Sequence, residues 1–266
     1  MPHLPPFSLV LGLDARTLGQ LAVTLPTWRR HKPSLFRRPV VAFHDRGLAR
    51  ANVAALLAPA CPDLVLVPWP PAPVEFAADP DWHRGSAQRT KMLSGFVHVA
   101  AQAVETQYWL KLDVDVVATG RDDWADPAWF DDAPAIVGHR WGYTKPANQM
   151  LRLDQWVLDN HDKLHDLWRR PSLGLAPAPG SRALPHARII SWCGFFRTDM
   201  TRAAAQAAAA TCGPCRMPVP SQDGFLWYYA TRMGERVVRA NMKSLGWGHW
   251  NTENNIRAAA ERAMRG

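Results

Sequence analysis

Short apolar runs alternate with helix-like segments over the first 115 residues, and this alternation is the strongest constraint on the fold. The apolar runs are predicted strands, at 7–13, 39–43, 63–67 and 108–112. The segments between them have helical spacing of apolar residues, at 17–30, 48–58 and 87–105. Strands that alternate with helices in this way are typical of βα units on a mostly parallel sheet. The sequence therefore predicts an α/β fold, with a mostly parallel, Rossmann-like sheet flanked by helices.

The second half of the chain is less regular. It contains predicted strands at 135–138, 187–192 and 236–240, and predicted helices at 151–168, 198–210, 221–233 and 252–264. Residues 241–250 are rich in Gly and Trp and are predicted to form a loop. Because we find no internal repeat and no clear linker, we expect one domain over residues 1–266.

Composition excludes several classes of protein. Hydrophobic residues are 47% of the chain and charged residues 20%, which excludes wholesale disorder. No stretch reaches the roughly 20 apolar residues of a membrane helix. The apolar run at 7–13 lacks the flanks of a signal peptide, so we expect a cytoplasmic protein. Cys212-Gly-Pro-Cys215 has thioredoxin-type spacing but follows a predicted helix, which argues against a redox role and leaves a disulfide open.

Charge is distributed unevenly along the chain, whose formal net charge is +8. Residues 1–50 contain eight Arg or Lys against two Asp, whereas residues 113–132 contain seven Asp against Arg121. A basic surface beside an acidic loop fits a metal with an anionic ligand. It also fits nucleic acid, an anionic membrane surface or a solvated basic face, so charge alone leaves these alternatives open.

Asp113-Val-Asp115 is the most informative motif. It follows directly on the apolar run at 108–112, and at i and i+2 of an extended chain both carboxylates point to the same side. Two carboxylates at such a short distance repel each other unless a cation lies between them. Mg²⁺ and Mn²⁺ take such oxygen ligands and share them with phosphate oxygens. A solvated turn explains an isolated Asp-x-Asp, but the position after a buried strand favours a metal site.

Asp14 and Asp45 also follow predicted strands, so they are expected on the same sheet rim as Asp113. The chain has no Gly-x-Gly-x-x-Gly fingerprint and no P-loop. Neither a dinucleotide site of that type nor a P-loop phosphate site is therefore expected.

Together these features resemble the GT-A class of nucleotide-sugar glycosyltransferases. The matching segments are 7–30, 40–45, Arg89-Thr-Lys91-Met-Leu, 108–115, Ser191–Phe196 and Gln222-Asp223-Gly224. The resemblance implies metal-dependent transfer of a sugar, most often from a UDP-sugar, to a hydroxyl of a saccharide or another acceptor. It also implies that 1–118 is the donor-binding half and 119–266 the acceptor-binding and catalytic half.

The resemblance assigns donor and metal roles to particular residues. Asp115 is expected to bind the metal directly, and Asp113 to contact the metal or the ribose of the donor. Asp45 is expected to contact the ribose or base. Arg89 and Lys91 are expected to face the diphosphate, where their positive charge would offset the developing anion. The alternative for Arg89 and Lys91 is a solvated helix face.

Four further residues have two interpretations each. Asp223 is either the general base of an inverting transfer or an acid that caps a helix. His249 is either a third metal ligand, which would favour Mn²⁺ over Mg²⁺, or a histidine packed among tryptophans. Trp192 and Trp247 are either platforms for the acceptor sugar or core residues. We assign Trp109 and Trp156 to the core.

Three alternatives to a glycosyltransferase stand beside this interpretation. A sugar-phosphate nucleotidylyltransferase should carry a Gly-rich loop after the first strand, and residues 12–19 match that pattern poorly. A nucleic-acid-binding domain would use the basic residues of 1–50, but the Asp-rich centre would repel phosphate, so nucleic acid is not an expected partner. A degenerate transferase would bind donor without turnover. The segment 252–264 has too weak an apolar face for a membrane-surface helix, although peripheral membrane contact stays open.

Overall fold

The computed structural model describes residues 4–44, 48–68, 100–140, 155–159, 189–212, 222–250 and 252–266. The strands are β1 (Phe7–Leu13), β2 (Val40–His44), β3 (Leu64–Pro68), β4 (Tyr108–Leu112), β5 (Val116–Ala118), β6 (Ile136–Arg140), β7 (Ile189–Arg197), β8 (Val237–Ala240) and β9 (Trp247–His249). The helices are α1 (Ala15–His31), α2 (Arg50–Leu57), α3 (Thr198–Cys212), α4 (Gln222–Arg232) and α5 (Glu253–Arg265). No helix within these residues is long and apolar enough to span a membrane.

Seven of the strands form one sheet in the order β3-β2-β1-β4-β7-β6-β8. Strands β3, β2, β1 and β4 pair in parallel, as do β6 and β8. Strand β7 runs antiparallel to both of its neighbours, β4 and β6. The prediction of an α/β fold with a mostly parallel sheet is therefore confirmed.

Helices and apolar side chains cover both faces of the sheet. On one face, Trp109 and Phe196 stack at 4.7 Å and pack with residues of α3 and α4. On the other, Leu9 and Leu11 pack with Trp28 of α1. Trp109 is fully buried, so its assignment to the core is confirmed, whereas Trp156 is half-buried and packs against the first of these clusters.

Helix α1 begins at a capping box, in which the backbone N–H of Thr17 donates to the Asp14 carboxylate at 2.7 Å. The sequence predicts that Pro26 bends or ends this helix, and the structure shows that it does not end it, because the helix continues to His31. A proline in a helix interior costs about 3 kcal/mol relative to alanine. Burial of Leu21, Leu25 and Trp28 along the same helix offsets this cost.

A second, two-stranded antiparallel sheet is formed by β5 and β9, which we call the ribbon. The sequence predicts neither strand, and it assigns 241–250 to a loop. That segment instead contains a 3-10 turn at Met242–Leu245 followed by β9. Strands of three residues are too short for a periodic pattern, and they form here by pairing over a long sequence separation.

Several other predictions fall on residues outside the described ranges. They are most of the helices predicted at 87–105 and 151–168, and Cys215 of the Cys-Gly-Pro-Cys motif. Cys61 and Cys193 are buried free thiols.

Candidate functional site

The ribbon brings the predicted metal ligands together. Asp115 directly precedes β5, His249 ends β9, and Val116 is paired with His249. His249 Nε2 lies 3.3 Å from Asp115 Oδ2. One ligand atom from each of Asp113, Asp115 and His249 lies within 4.8 Å of the others. The structure therefore gathers two carboxylates and one imidazole at the carboxyl end of β4.

The chemistry of these three residues fits a divalent cation. Their side chains are partly buried, and Oδ1 of Asp115 is buried with no hydrogen-bond partner among the described residues. Leaving a buried carboxylate oxygen unpaired is costly, and a bound cation would remove that cost. A set of two oxygens and one imidazole nitrogen suits Mn²⁺, whereas Mg²⁺ prefers oxygen ligands alone.

Lys111 also belongs to this site, although the Asp-x-Asp motif does not include it. It lies on β4 two residues before Asp113 and is only 8% exposed. Its Nζ donates a hydrogen bond to Oδ1 of Asp113. The pair orients one carboxylate and offsets part of the negative charge of the cluster. The available signal was a lone charge within the apolar run Tyr108-Trp-Leu-Lys-Leu112.

Helix α1 fixes the strand that follows Asp115. Oγ1 of Thr24 donates to the carbonyl of Val114 at 2.7 Å, and Nε1 of Trp28 donates to the carbonyl of Val116 at 2.6 Å. Oγ1 of Thr27 accepts from the backbone N–H of Ala118 at 3.1 Å. These buried bonds satisfy main-chain groups that the ribbon leaves without a second strand. The approach of β5 to the metal cluster is therefore set by one face of α1.

Both tryptophans expected to bind an acceptor are buried. Trp192 is 4% exposed, and its ring stacks on His249 with 5.8 Å between ring centroids. Trp247 is 1% exposed, and its Nε1 donates to the carbonyl of Trp124 at 3.3 Å. An acceptor platform needs an open aromatic face, so the burial of both rings favours the core alternative. Trp192 packs against the ring of His249, and Trp247 packs in the core.

Asp14 serves helix α1 instead of the metal cluster. Its carboxylate accepts hydrogen bonds from the backbone N–H and from the hydroxyl of Thr17. Burial raises the pKa of Asp14, but these bonds and the nearby Arg16 outweigh burial, so the pKa lies below its ordinary value. Asp14 thus remains ionised as a helix cap.

The remaining predicted site residues are only partly covered by the structure. Asp45, Arg89 and Lys91 lie outside the described residues. Asp223 lies in the first turn of α4, where the structure describes its backbone alone. Their expected roles therefore stay predictions.

No protein-family model and no curated protein matches this chain. Among solved structures, it is similar to core-mannan synthase A (CmsA/Ktr4) from Aspergillus fumigatus in its Mn/GDP form, at 13% identity and a TM-score of 0.48, over 90% of this chain and 68% of that one. It is also similar to the galactosyltransferase LgtC in complex with donor and acceptor sugar analogs, at 14% identity and a TM-score of 0.48, over 88% and 73% of the two chains. Mouse xyloside xylosyltransferase 1 matches at 11% identity and a TM-score of 0.46, over 89% and 84%. At this level of identity, none of these similarities assigns a role to a residue.

Proposed function

We propose that this chain is a metal-dependent glycosyltransferase, which transfers a sugar from a nucleotide-sugar donor to an acceptor hydroxyl. The observation that carries the proposal is the cluster of Asp113, Asp115 and His249, with a buried Asp115 oxygen that has no hydrogen-bond partner among the described residues. The cluster lies at the carboxyl end of β4, and open α/β sheets bind their ligands at that edge. The resemblance of the sequence to GT-A enzymes supports the same chemistry.

Each residue of the donor site has a proposed task. Asp115 and His249 hold the cation, and Asp113, oriented by Lys111, contributes a third ligand or contacts the donor ribose. A bound Mn²⁺ would supply Lewis acidity that stabilises the leaving diphosphate. We propose UDP as the nucleotide, with Asp45 at the ribose or base. Positive charge from Arg89 and Lys91 would face the diphosphate.

The proposed transfer is inverting, with Asp223 as general base. Asp223 takes the proton of the acceptor hydroxyl, whose oxygen forms a bond to the anomeric carbon. The bond between that carbon and the diphosphate oxygen breaks, and its electron pair leaves with the nucleoside diphosphate. The position of Asp223 in the first turn of α4 supports this role, because a helix N-terminus favours a charged carboxylate. A general base requires that charged form.

Thermal unfolding against a panel of nucleotide sugars tests the donor site. Each sugar is added with and without Mn²⁺, to the wild type and to Asp115→Asn. A donor at about 100 times its dissociation constant adds about 2.7 kcal/mol of stability. We expect a Mn²⁺-dependent rise in Tm for a UDP-sugar, which Asp115→Asn abolishes. The absence of a shift for every donor would overturn the proposal.

Product analysis then tests the reaction. Release of nucleoside diphosphate and inverted anomeric configuration, both lost in Asp223→Asn, would support the proposed mechanism. Retained configuration would overturn the role of Asp223 but not the donor site. Donor binding without turnover would indicate a degenerate transferase. Strongly salt-dependent binding of nucleic acid, without any donor shift, would favour the nucleic-acid-binding alternative.

A further inference from the structure

The buried ammonium group of Lys32 joins the two segments that connect to the ribbon. Lys32 lies at the end of α1 and is 0% exposed. Its Nζ donates to three main-chain carbonyls: those of Arg121, of Asp123 at 3.0 Å and of Leu245 at 2.7 Å. Oδ1 of Asp123 lies 3.7 Å from the same nitrogen. We propose that Lys32 is a positioning residue for the metal site, an inference that rests on the proposed function.

The connectivity of the ribbon shows what this contact holds in place. The carbonyls of Arg121 and Asp123 follow β5, and the carbonyl of Leu245 precedes β9. In the antiparallel register, Ala118 pairs with Trp247 at this end, and Val116 pairs with His249 at the other end. Lys32 therefore closes the end of the ribbon opposite the metal cluster. It links the strand that begins after Asp115 to the strand that ends in His249.

The register of such a short ribbon must be stabilised by contacts outside its two strands. Each strand has only three residues, so few main-chain bonds distinguish one register from the next. A slip of one residue turns every side chain of a strand to the opposite face. For β9, that slip would turn His249 away from Asp115 and expose the core indole of Trp247. An anchor for Leu245, two residues before β9, resists this slip.

A lysine suits the position because its ammonium has three donors, and three carbonyls receive them. Burial lowers the pKa of Lys32, while the nearby carboxylates of Asp123 and Asp122 act in the opposite direction. Nζ also lies 5.6 Å from the ring centroid of Trp247, within range of a cation–π contact. A buried charge is a costly way to gain stability alone, whereas it specifies one arrangement of its partners well.

Electron paramagnetic resonance of bound Mn²⁺ tests the inference, because its signal reports the metal ligands and does not change when stability alone is lost. Pulsed measurements detect a nitrogen ligand through its modulation of the Mn²⁺ echo. We expect nitrogen modulation in the wild type and none in His249→Ala. In Lys32→Met, which has similar length and no donors, we expect the modulation to disappear. We also expect Mn²⁺ affinity to fall by about tenfold or more, the range typical of residues that orient ligands.

The control is Leu57→Ala, a buried substitution on α2 that lies outside the ribbon. We expect it to lower Tm while it keeps both nitrogen modulation and Mn²⁺ affinity. If Lys32→Met does not fold, Lys32→Arg replaces it. A planar guanidinium keeps the charge but cannot direct its donors at the same three carbonyls, so the modulation should again weaken.

The outcomes separate the two proposals. If a folded Lys32 variant keeps wild-type modulation and affinity, the positioning role is overturned and the metal site stands. If the wild type binds Mn²⁺ without nitrogen modulation, His249 is not a ligand, and the positioning role of Lys32 is overturned with it. If the wild type binds no Mn²⁺ at all, the metal site of the proposed function is overturned. Loss of modulation in Leu57→Ala as well would show that general destabilisation is the cause, which also overturns the inference.

Discussion

His249 Nε2 lies 3.3 Å from Oδ2 of Asp115, because Val116 and His249 are opposite each other in the ribbon. This contact has two chemical uses that exclude each other. A protonated His249 forms an ion pair with Asp115, whereas a neutral imidazole offers its nitrogen to a cation that both residues share. The orphaned Oδ1 of Asp115 favours the second use, since an ion pair through Oδ2 leaves it unsatisfied.

Replacement of Asp115 by asparagine separates metal binding from stability. We expect Asp115→Asn to reduce Mn²⁺ affinity by about tenfold or more, because the loss of a residue that only orients a metal ligand already reaches that size. Without metal, we expect Tm to stay the same or rise, since the variant removes a negative charge beside Asp113. Titration calorimetry with Mn²⁺ and thermal unfolding in a chelator measure the two effects.

The matched control is Asp131→Asn, which makes the same change on an exposed residue. It should leave Mn²⁺ affinity at the wild-type value. A metal-free Asp115→Asn that unfolds well below the wild type would contradict this account, because Asp115 would then be chiefly structural.

Gly246 is expected to tolerate no side chain. Its φ is +80°, and a Cβ there would lie 2.0 Å from the carbonyl oxygen of Thr119. Gly234 has a similar φ of +72°, but a Cβ there would meet no atom within 4 Å. Left-handed backbone alone costs an alanine about 1–2 kcal/mol. We therefore expect Gly234→Ala to lose about that much, and Gly246→Ala to lose clearly more.

Urea unfolding of the two glycine variants measures the difference. Because Gly246 directly precedes β9, Gly246→Ala should also weaken Mn²⁺ binding, whereas Gly234→Ala should not. Equal destabilisation by the two substitutions would contradict this account. It would show that the backbone at Gly246 and Thr119 separates to admit the Cβ without a further loss in the free energy of unfolding.

Trp247 is expected to affect stability and not acceptor recognition. Removal of a large buried aromatic side chain costs about 3–5 kcal/mol, and the indole is 1% exposed. We expect Trp247→Phe, which keeps much of that volume, to lower Tm while KM for the acceptor stays unchanged. A raised acceptor KM at unchanged Tm would restore the platform role. Steady-state kinetics and thermal unfolding on the same preparation distinguish the two results.

The sequence predicts this site unevenly, for physical reasons. Asp113 and Asp115 could be recognised because their signal is local, two carboxylates at the end of one apolar strand. The burial of Trp247 could not be predicted from the sequence, since it depends on pairing between two ribbon strands that are too short to show periodicity. Lys32 gives no local signal, as its three carbonyl partners come from distant segments.

The fold was easier to predict than its exceptions. The alternation of strands and helices depends on apolar runs and helical spacing, which are local properties. The antiparallel direction of β7 is not local, because a buried apolar strand has the same composition in either direction. The continuation of α1 through Pro26 depends on the burial of nearby side chains in the folded protein. Helix propensities do not include the free energy of that burial.

His139 is expected to make the protein less stable as the pH falls. Its Nδ1 accepts a hydrogen bond from the backbone N–H of Met242 at 3.3 Å, so this nitrogen carries no proton in the folded state. Burial and then the positive charge of Lys243 lower the pKa of His139 below its ordinary value of 6.5, although a backbone hydrogen bond opposes them. Between the lowered pKa and 6.5, the unfolded chain therefore binds more protons than the folded one. The stabilising contribution is complete above 6.5 and decreases as the pH falls through that window.

Urea unfolding from about pH 7.5 to about pH 5.5 measures this dependence. His139→Gln keeps a hydrogen-bond acceptor and removes the titrating group, so its free energy of unfolding should fall less than that of the wild type. Part of the decrease should remain, since burial also lowers the pKa of His44. Asp14 does not interfere, because its contribution is complete above 3.8 and is lost only at more acidic pH. Identical pH profiles for the variant and the wild type would contradict this prediction. They would show that His139 loses its hydrogen bond to Met242 and takes up a proton without a decrease in the free energy of unfolding.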